Sequence, residues 1–325
     1  MKLYIIGNGF DREHGLKTSY IHFRNYLEKY AEDFLTAMEH MYNITSWEKL
    51  DRRNKKNKKL QELRDDYIWD TLWGDFETCL GKANEDEMLN FSESIVDDMG
   101  LETGAIAIKD TMDQYWEEEY SFIQDLQKYV RKWIRQVRLI KATCKKKAFL
   151  NNNKDFFFTF NYTSVLERIY SVPTSHILHI HGGLSPYCEE PPVLGHGNKE
   201  VIERYREKAE EASEQYDEGK ESICNAIANY YKRTLKNTDN QLLVHRDFFE
   251  QLQNVYCVEV IGHSFSEVDF PYFVYLKRCV KESARWIFYY HSEKSRKKAE
   301  KLVDELELMK GKYKIVPTGK FWEEM

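Results

Sequence analysis

Short apolar runs alternate with longer amphipathic stretches along the chain. Six runs of four to seven residues are rich in apolar side chains and predict strands: Leu3–Ile6, Phe156–Phe160, His176–Ile180, Val255–Ile261, Trp286–Tyr290 and Tyr313–Val316. Helical stretches separate most of these runs, and strands that alternate with helices usually form a parallel sheet covered by helices on both faces. The pattern therefore predicts an α/β fold built on a parallel sheet.

Two stretches between the predicted strands carry hydrophobic residues at helical spacing. The first contains predicted helices over Leu60–Leu80 and from about Asp110 to Ile140, with aromatic residues such as Trp116 on one face. The second is strongly charged and breaks near Gly219, which favours a solvated helical hairpin over a binding surface. The predicted organisation is a core over residues 1–19 and 149–325, a helical insertion over 20–148, and a second insertion within the core over 199–236.

Composition narrows the class of protein. Of 325 residues, 42% are hydrophobic and 14% aromatic, so a sizeable core can form. The formal net charge of −6 gives no general attraction to nucleic acid, and no direct nucleic-acid binding is expected. No apolar run approaches the ~20 residues of a membrane span, and the first strand begins too early for a signal peptide. Six widely spaced cysteines without a CxxC pair favour reduced thiols, so we expect a cytoplasmic protein with no membrane partner.

Polar and glycine residues follow four of the predicted strands. Gly7–Asp11 follows the first strand, Asn161–Thr163 the second, His181–Gly182 the third and Gly262–Ser266 the fourth. Ligands of open parallel sheets bind beyond the carboxyl ends of the strands. We therefore expect these segments to form one composite pocket for a nucleotide.

The glycine turn, Gly7-Asn8-Gly9, lies where a dinucleotide-binding turn would lie. Glycines there let the backbone approach a pyrophosphate at the N-terminus of the next helix. Arg12 occupies the third position of the GxGxxG pattern, so a tight strand-to-helix turn without a ligand is an equal alternative. Asp11 also has two interpretations, as a helix cap or as the acceptor for a ribose hydroxyl.

Taken together, these segments resemble the AbiH family of bacterial abortive-infection proteins. Ile5–Tyr20 is the most specific stretch, and the resemblance extends from residue 3 to about residue 290. Thr159–Thr163, His179–Gly182 and Gly262–Asp269 carry the rest of it. A weaker likeness to sirtuins rests on short motifs and implies a Rossmann-like, sirtuin-like core with helical insertions.

The sirtuin likeness implies roles for individual residues. Asn161 corresponds to the asparagine that contacts the nicotinamide ribose, and His181 to the catalytic histidine. Gly7 and Gly9 correspond to the turn that holds the NAD pyrophosphate. The residues expected to bind the nucleotide are Gly7, Asn8, Gly9, Phe10, Asp11, Thr159, Tyr162, His179, Gly182, Gly262, His263, Ser264 and Asp269, with Gly262 and Ser264 on the adenosine side.

The chain departs from the sirtuin pattern at three of these motif positions. The pattern has an alanine where Asn8 stands, a serine where Asp11 stands and an acidic residue where Thr163 stands. The zinc-binding cysteine quartet of the deacetylases is also missing. Deacetylation is therefore not expected, whereas cleavage of the nicotinamide–ribose bond of NAD is compatible with the remaining residues.

The residue types suit that cleavage, but each has a structural alternative. An asparagine amide can orient a ribose hydroxyl or a water molecule, and a histidine can accept a proton near neutral pH. Asn161 could instead form a turn, and His181 could satisfy buried backbone groups. His179 is the rival base, because side chains two apart on a strand project in the same direction. A metal site from His179, His181 and His196 lacks further ligands at diagnostic spacing, so no metal is expected.

Two functions from different classes follow. The first is a phage-defence effector that hydrolyses NAD⁺, as its substrate, to nicotinamide and ADP-ribose. The second is a non-catalytic nucleotide sensor that signals to a partner. A nuclease is disfavoured by the acidic balance and by the lack of clustered carboxylates. NAD or a related nucleotide is the expected small-molecule partner, while a phage-derived trigger and homo-oligomer formation stay open.

Overall fold

The central strands of the main sheet are mainly apolar because both of their faces are buried. Leu3, Ile5 and Phe158 contribute to a core on one face, and Tyr4 and Phe157 contribute to a core on the other. Strands buried on both faces appear as continuous apolar runs, whereas strands with one solvated face alternate. The computed structural model describes residues 1–44, 58–90, 92, 105–185 and 188–323.

Six parallel strands form this sheet, and their number matches the prediction. The strands along the chain are β1 Lys2–Ile6, β2 Phe156–Thr159, β3 Ile177–His179, β4 Leu184–Ser185, β5 Cys188–Glu189, β6 Cys257–Ile261, β7 Arg285–Tyr290 and β8 Tyr313–Pro317. The spatial order in the main sheet is β3-β2-β1-β6-β7-β8, and every neighbouring pair is parallel. The other two strands, β4 and β5, form a separate antiparallel pair.

The strand order places a crevice beside β1. When the short antiparallel pair is set aside, the order is 3-2-1-4-5-6, that of the dinucleotide-binding Rossmann folds. The direction of the winding reverses between β1 and β6, where such folds bind their ligands. Ile6 pairs in register with Thr159 on one side and with Ile261 on the other, so the carboxyl ends of these strands are level. The fold is therefore a Rossmann-like α/β fold.

Helices make up most of the remaining chain. The α-helices are α1 Asn8–Glu13, α2 Tyr20–Tyr30, α3 Glu32–His40, α4 Lys58–Thr71, α5 Phe76–Cys79, α6 Ala105–Tyr120, α7 Leu126–Ile134, α8 Val165–Tyr170, α9 Glu200–Glu214, α10 Glu218–Thr234, α11 Thr238–Val244, α12 Arg246–Glu250, α13 Phe270–Cys279, α14 Glu293–Glu305 and α15 Gly319–Glu323. Short 3₁₀ helices cover Trp73–Asp75, Ser121–Asp125, Leu139–Lys141, Lys147–Phe149, Thr174–His176, Gln251–Asn254 and Glu267–Asp269. No helix in these described stretches is long and apolar enough to cross a membrane.

Both long helices predicted before the second strand are interrupted. The stretch predicted as one helix over Leu60–Leu80 consists of α4, a 3₁₀ turn and α5. The helix predicted from about Asp110 to Ile140 is divided by the 3₁₀ segment Ser121–Asp125 and ends at Ile134. Ile123 is buried within that segment, so the apolar face continues through the change of helix type. Hydrophobic spacing alone therefore did not reveal the interruption.

The chain divides into two compact units, each formed from separate segments. One unit comprises Met1–Phe23, Val130–Val193 and Asn237–Met325 and contains the main sheet. The other comprises Arg24–Tyr129 and Leu194–Lys236. The two stretches predicted as separate insertions, 20–148 and 199–236, thus contribute to one helical unit, in which α10 packs against both α6 and α9.

Candidate functional site

The four strand ends that were predicted to form one pocket lie in contact within the sheet-containing unit. The side-chain amide of Asn161, beyond β2, donates to the carbonyl of Gly7, beyond β1, at 3.2 Å. The amide of Gly9 donates to the carbonyl of Gly262, beyond β6, at 2.7 Å. The ring of Phe160 lies 5.0 Å from the His181 ring, beyond β3, measured between centroids. The structure therefore brings residues that are far apart in sequence into one cluster.

Three of the four polar groups of Asn161 form hydrogen bonds within the fold. Its backbone N–H donates to Thr159 Oγ1 at 3.1 Å, and its carbonyl accepts from His179 Nδ1 at 2.7 Å. Its Nδ2 group donates to Gly7 O and, at 2.9 Å, to Asp11 Oδ1. The remaining group, Oδ1, is buried and has no hydrogen-bond partner among the described residues. The fold thus fixes the amide and leaves a single acceptor.

Asp11 is the carboxyl group that meets this amide. It is almost fully buried, and its second oxygen accepts a hydrogen bond from Thr163 Oγ1 at 2.7 Å. Burial raises the pKa of Asp11 to about 7, and the hydrogen bonds from Thr163 and Asn161 offset only part of that effect. Asp11 and Thr163 are two of the departures from the sirtuin pattern, and they are the two ends of one hydrogen bond.

His179 bridges Asn161 to a carboxylate that the sequence analysis missed. His179 Nε2 lies 2.9 Å from Glu167 Oε1, and both side chains are buried. Burial lowers the pKa of His179. The hydrogen bond to Glu167 and the negative charge of Glu167 raise it by more than burial lowers it, so the pKa of His179 lies above its ordinary value. The sequence offered one signal for Glu167, since it is the single acidic residue on the short helix that follows Asn161. We call Asp11, Asn161, Thr163, Glu167 and His179 the Asn161 cluster.

His181 belongs to a neighbouring group of two histidines and one carboxylate. His181 Nε2 lies 3.5 Å from Asp269 Oδ1, and His263 Nε2 lies 3.2 Å from Asp269 Oδ2. His263 Nδ1 accepts a hydrogen bond from the backbone N–H of Phe265 at 2.9 Å, so its proton resides on Nε2. Asp269, predicted to contact a nucleotide, therefore faces both histidines and does not serve as a simple helix cap.

The glycines of the turn, together with Gly262, have structural roles within the fold. The amides of Gly7 and Gly9 already donate to Ile261 O and Gly262 O, at 2.9 and 2.7 Å. A Cβ added at Gly7 would lie 2.5 Å from His263 Cα, and one at Gly262 would lie 2.4 Å from Phe10 N. Gly262 also has a φ of +67°, a conformation that favours glycine. These glycines are therefore required for the close approach of two strand ends, whatever ligand binds nearby.

The other residues predicted to bind a nucleotide lie in different surroundings. Asn8 exchanges two hydrogen bonds with Thr18, from Nδ2 to the carbonyl at 2.9 Å and from Thr18 Oγ1 to Oδ1 at 2.5 Å. Phe10 is buried in the core below the turn. Tyr162 donates its hydroxyl to Val193 O at 3.1 Å, and Gly182 adopts a φ of +79°. Ser264 is exposed.

His196 lies in the helical unit, where both of its ring nitrogens are hydrogen-bonded. Its Nδ1 accepts from the backbone N–H of Asn198 at 3.0 Å, and its Nε2 donates to Tyr231 O at 2.9 Å. Burial lowers the pKa of His196, in agreement with this neutral state. Within the described stretches, no group of three or more histidine, cysteine, aspartate or glutamate side chains is placed to hold a metal ion.

Comparison with known proteins identifies the family. The model of the family described as "Bacteriophage abortive infection AbiH" matches residues 3–290. The chain belongs to the AbiH family. No curated protein and no solved structure matches it. AbiH membership gives this protein a role in abortive infection by bacteriophage, and the matched range contains every residue of the Asn161 cluster.

Proposed function

We propose that this AbiH protein binds NAD⁺ at the Asn161 cluster and hydrolyses its nicotinamide–ribose bond during abortive infection. The reaction converts NAD⁺ and water to nicotinamide, ADP-ribose and a proton. Loss of NAD⁺ would deprive an infected cell of the redox cofactor on which phage production depends. The reaction chemistry requires mainly that the ribose and a water molecule are positioned, because the positively charged nicotinamide is already a good leaving group.

The observation that carries this proposal is the single free acceptor of Asn161. A buried amide oxygen without a donor costs on the order of 1–3 kcal/mol, so its retention calls for an explanation. A ribose hydroxyl or a bound water molecule would supply the donor. The position supports a nucleotide, because Asn161 touches Gly7 at the crevice beside β1.

A second candidate function is nucleotide sensing without turnover. It would use the same free acceptor, Asn161 Oδ1, and would need no group that activates water. In that case Asn161 would recognise a ribose, and binding would alter a contact with a partner. The two functions share the ligand contact and differ in whether nicotinamide is released.

Purified protein incubated with NAD⁺ tests the proposal. Nicotinamide release is followed by chromatography, with and without lysate from phage-infected cells, for the wild type and Asn161→Ala. We expect release by the wild type and a loss of about 10²-fold or more in the variant, together with loss of phage protection. Binding of NAD⁺ without release in either condition would favour the sensor, and absence of both would remove the nucleotide interpretation.

A further inference from the structure

We infer that Asp11, acting through the Thr163 hydroxyl, takes up the proton that NAD⁺ hydrolysis releases. This inference rests on the proposed function and deepens it by naming the proton acceptor. It departs from the sirtuin-based expectation, in which His181 is the base. It also gives a chemical role to Asp11 and Thr163, the two residues at which the chain differs from that pattern.

The hydrogen bonds of Asp11 satisfy both of its protonation states. As a carboxylate it accepts from Asn161 Nδ2 at 2.9 Å and from Thr163 Oγ1 at 2.7 Å. A hydroxyl can donate or accept, whereas an amide NH₂ can only donate. When Oδ2 is protonated, it can therefore donate to Thr163 Oγ1 while Asn161 continues to donate to Oδ1. No heavy atom has to move when the proton arrives or leaves.

The surroundings of Asp11 allow this exchange near neutral pH. Burial is the largest influence and brings the pKa to about 7. Two further titratable groups act on Asp11 from α8 and β3: Glu167 raises the pKa of Asp11 and His179 lowers it. Because Glu167 and His179 form an ion pair, their effects on Asp11 oppose each other. General bases work best when their pKa lies close to the operating pH.

The neighbouring histidine His179 is poorly suited to the same task. Its Nδ1 donates to the carbonyl of Asn161, and its Nε2 faces Glu167. Its raised pKa favours the imidazolium form, which has no lone pair to accept a proton. His179 therefore holds the backbone of Asn161 in place, and Asp11 is the carboxyl in direct contact with the Asn161 side chain.

The step balances without a further reactant. The bond between the nicotinamide nitrogen and the ribose carbon breaks, and its electron pair leaves with neutral nicotinamide. The oxygen of the attacking water forms the new bond to that carbon. One proton of this water passes to Thr163 Oγ1 while the Thr163 hydroxyl proton passes to Asp11 Oδ2. Thr163 is 8% exposed and Asp11 only 1%, so Thr163 is the more accessible residue of the pair.

The pH dependence of nicotinamide release tests the inference. We expect the wild-type rate to rise with pH and level off, with a midpoint at about 7, because Asp11 must be ionised to accept the proton. Asp11→Asn should lower the rate by about 10²-fold or more and abolish that rise. Asp155→Asn is the matched control, because Asp155 accepts a hydrogen bond from Lys2 N at the opposite end of the sheet. It should keep the wild-type midpoint.

Thr163 variants keep the test informative if Asp11→Asn fails to fold. Thr163→Val removes the hydroxyl that relays the proton, so it should lower the rate by about 10²-fold. The Thr163 hydrogen bond also lowers the pKa of Asp11, so the remaining activity should have its midpoint at higher pH, and Thr163→Ser should restore both the rate and the midpoint. His181→Ala should leave the midpoint in place. An unchanged midpoint in Thr163→Val, or full activity in Asp11→Asn, would overturn the role of Asp11 but leave the proposed function standing. A wild type that releases no nicotinamide would overturn the proposed function and this inference with it.

Discussion

The glycine turn and the Asn161 cluster follow strands of the same sheet but use their unusual residues in different ways. In the glycine turn, the amides of Gly7 and Gly9 donate hydrogen bonds to the end of β6, at Ile261 and Gly262. A side chain at Gly7, Gly9 or Gly262 would collide with backbone atoms. In the Asn161 cluster, the fold engages every polar group of Asn161 except Oδ1. A motif residue whose polar groups are all hydrogen-bonded within the fold is explained by the fold, whereas Asn161 keeps one acceptor that the fold does not use.

The largest expected effect concerns Gly262, which packs against the glycine turn. Gly262→Ala should destabilise the protein by about 4 kcal/mol, because it combines a positive φ with a backbone collision. Gly311→Ala is the matched control, with a φ of +89° and no atom within 4 Å of the added Cβ, and should cost only about 1 kcal/mol. Urea unfolding measures both. Equal losses would show that close packing at Gly262 has no special importance.

Asp11 should make stability fall as pH rises. Its pKa is about 7 in the folded protein against a reference of 3.8, so the folded state binds the extra proton. The favourable contribution is full below the reference value and is lost as pH rises to about 7, by on the order of 4 kcal/mol in total. In Asp11→Asn this loss should disappear. Parallel pH profiles of unfolding free energy for the two proteins would contradict the raised pKa.

Replacing His179 or His181, the two histidines at the end of the third strand, should lower the stability of the protein by different amounts. His179→Ala should cost about 3 kcal/mol, because it leaves Glu167 buried without its partner. His181→Ala should cost less, since Asp269 keeps His263 as a neighbour. Thermal or urea unfolding of the two variants in parallel checks the order. A larger loss in His181→Ala would place the structural role at position 181.

The smallest expected effect is at Asn8. Asn8→Ala removes both hydrogen bonds to Thr18 and should cost about 1 kcal/mol, while Asn8→Asp keeps the acceptor and should cost less. Neither change should affect NAD⁺ binding beyond its effect on folding. A strong loss of NAD⁺ affinity in a stable Asn8→Ala protein would show that the glycine turn also contacts the ligand, and would remove the contrast with the Asn161 cluster.

The sequence predicted the sheet well because its strands are buried on both faces. Runs such as Phe156–Phe160 are almost entirely apolar, and the observed strands begin and end within two residues of the predicted ones. The interruption at Ser121–Asp125 was hidden, because α and 3₁₀ turns both keep every third or fourth residue on one face. The grouping of 194–236 with 24–129 depends on packing between distant segments, which spacing cannot show.

The sequence predicted which strand ends come together, but not the hydrogen bonds that connect their side chains. Asn161 and His181 could be selected because each follows an apolar strand. The partnership of His179 with Glu167 could not, since one residue comes from a strand and the other from a helix. The raised pKa of Asp11 depends on its burial, which a lone aspartate after a glycine turn does not reveal. Thr163 was noted only as a departure from a pattern, and its hydrogen bond gives that departure a reason.

A double-mutant cycle between Asn161 and the nicotinamide ribose tests the central claim most directly. Nicotinamide release is measured for the wild type and Asn161→Ala, each with NAD⁺ and with an analogue lacking one nicotinamide-ribose hydroxyl. If Asn161 Oδ1 accepts a hydrogen bond from that hydroxyl, the analogue that lacks the hydroxyl should react about 10-fold or more slowly with the wild type. The missing hydroxyl should have little further effect on Asn161→Ala. Equal slowing of both proteins by every such analogue would show that Asn161 does not contact the ribose.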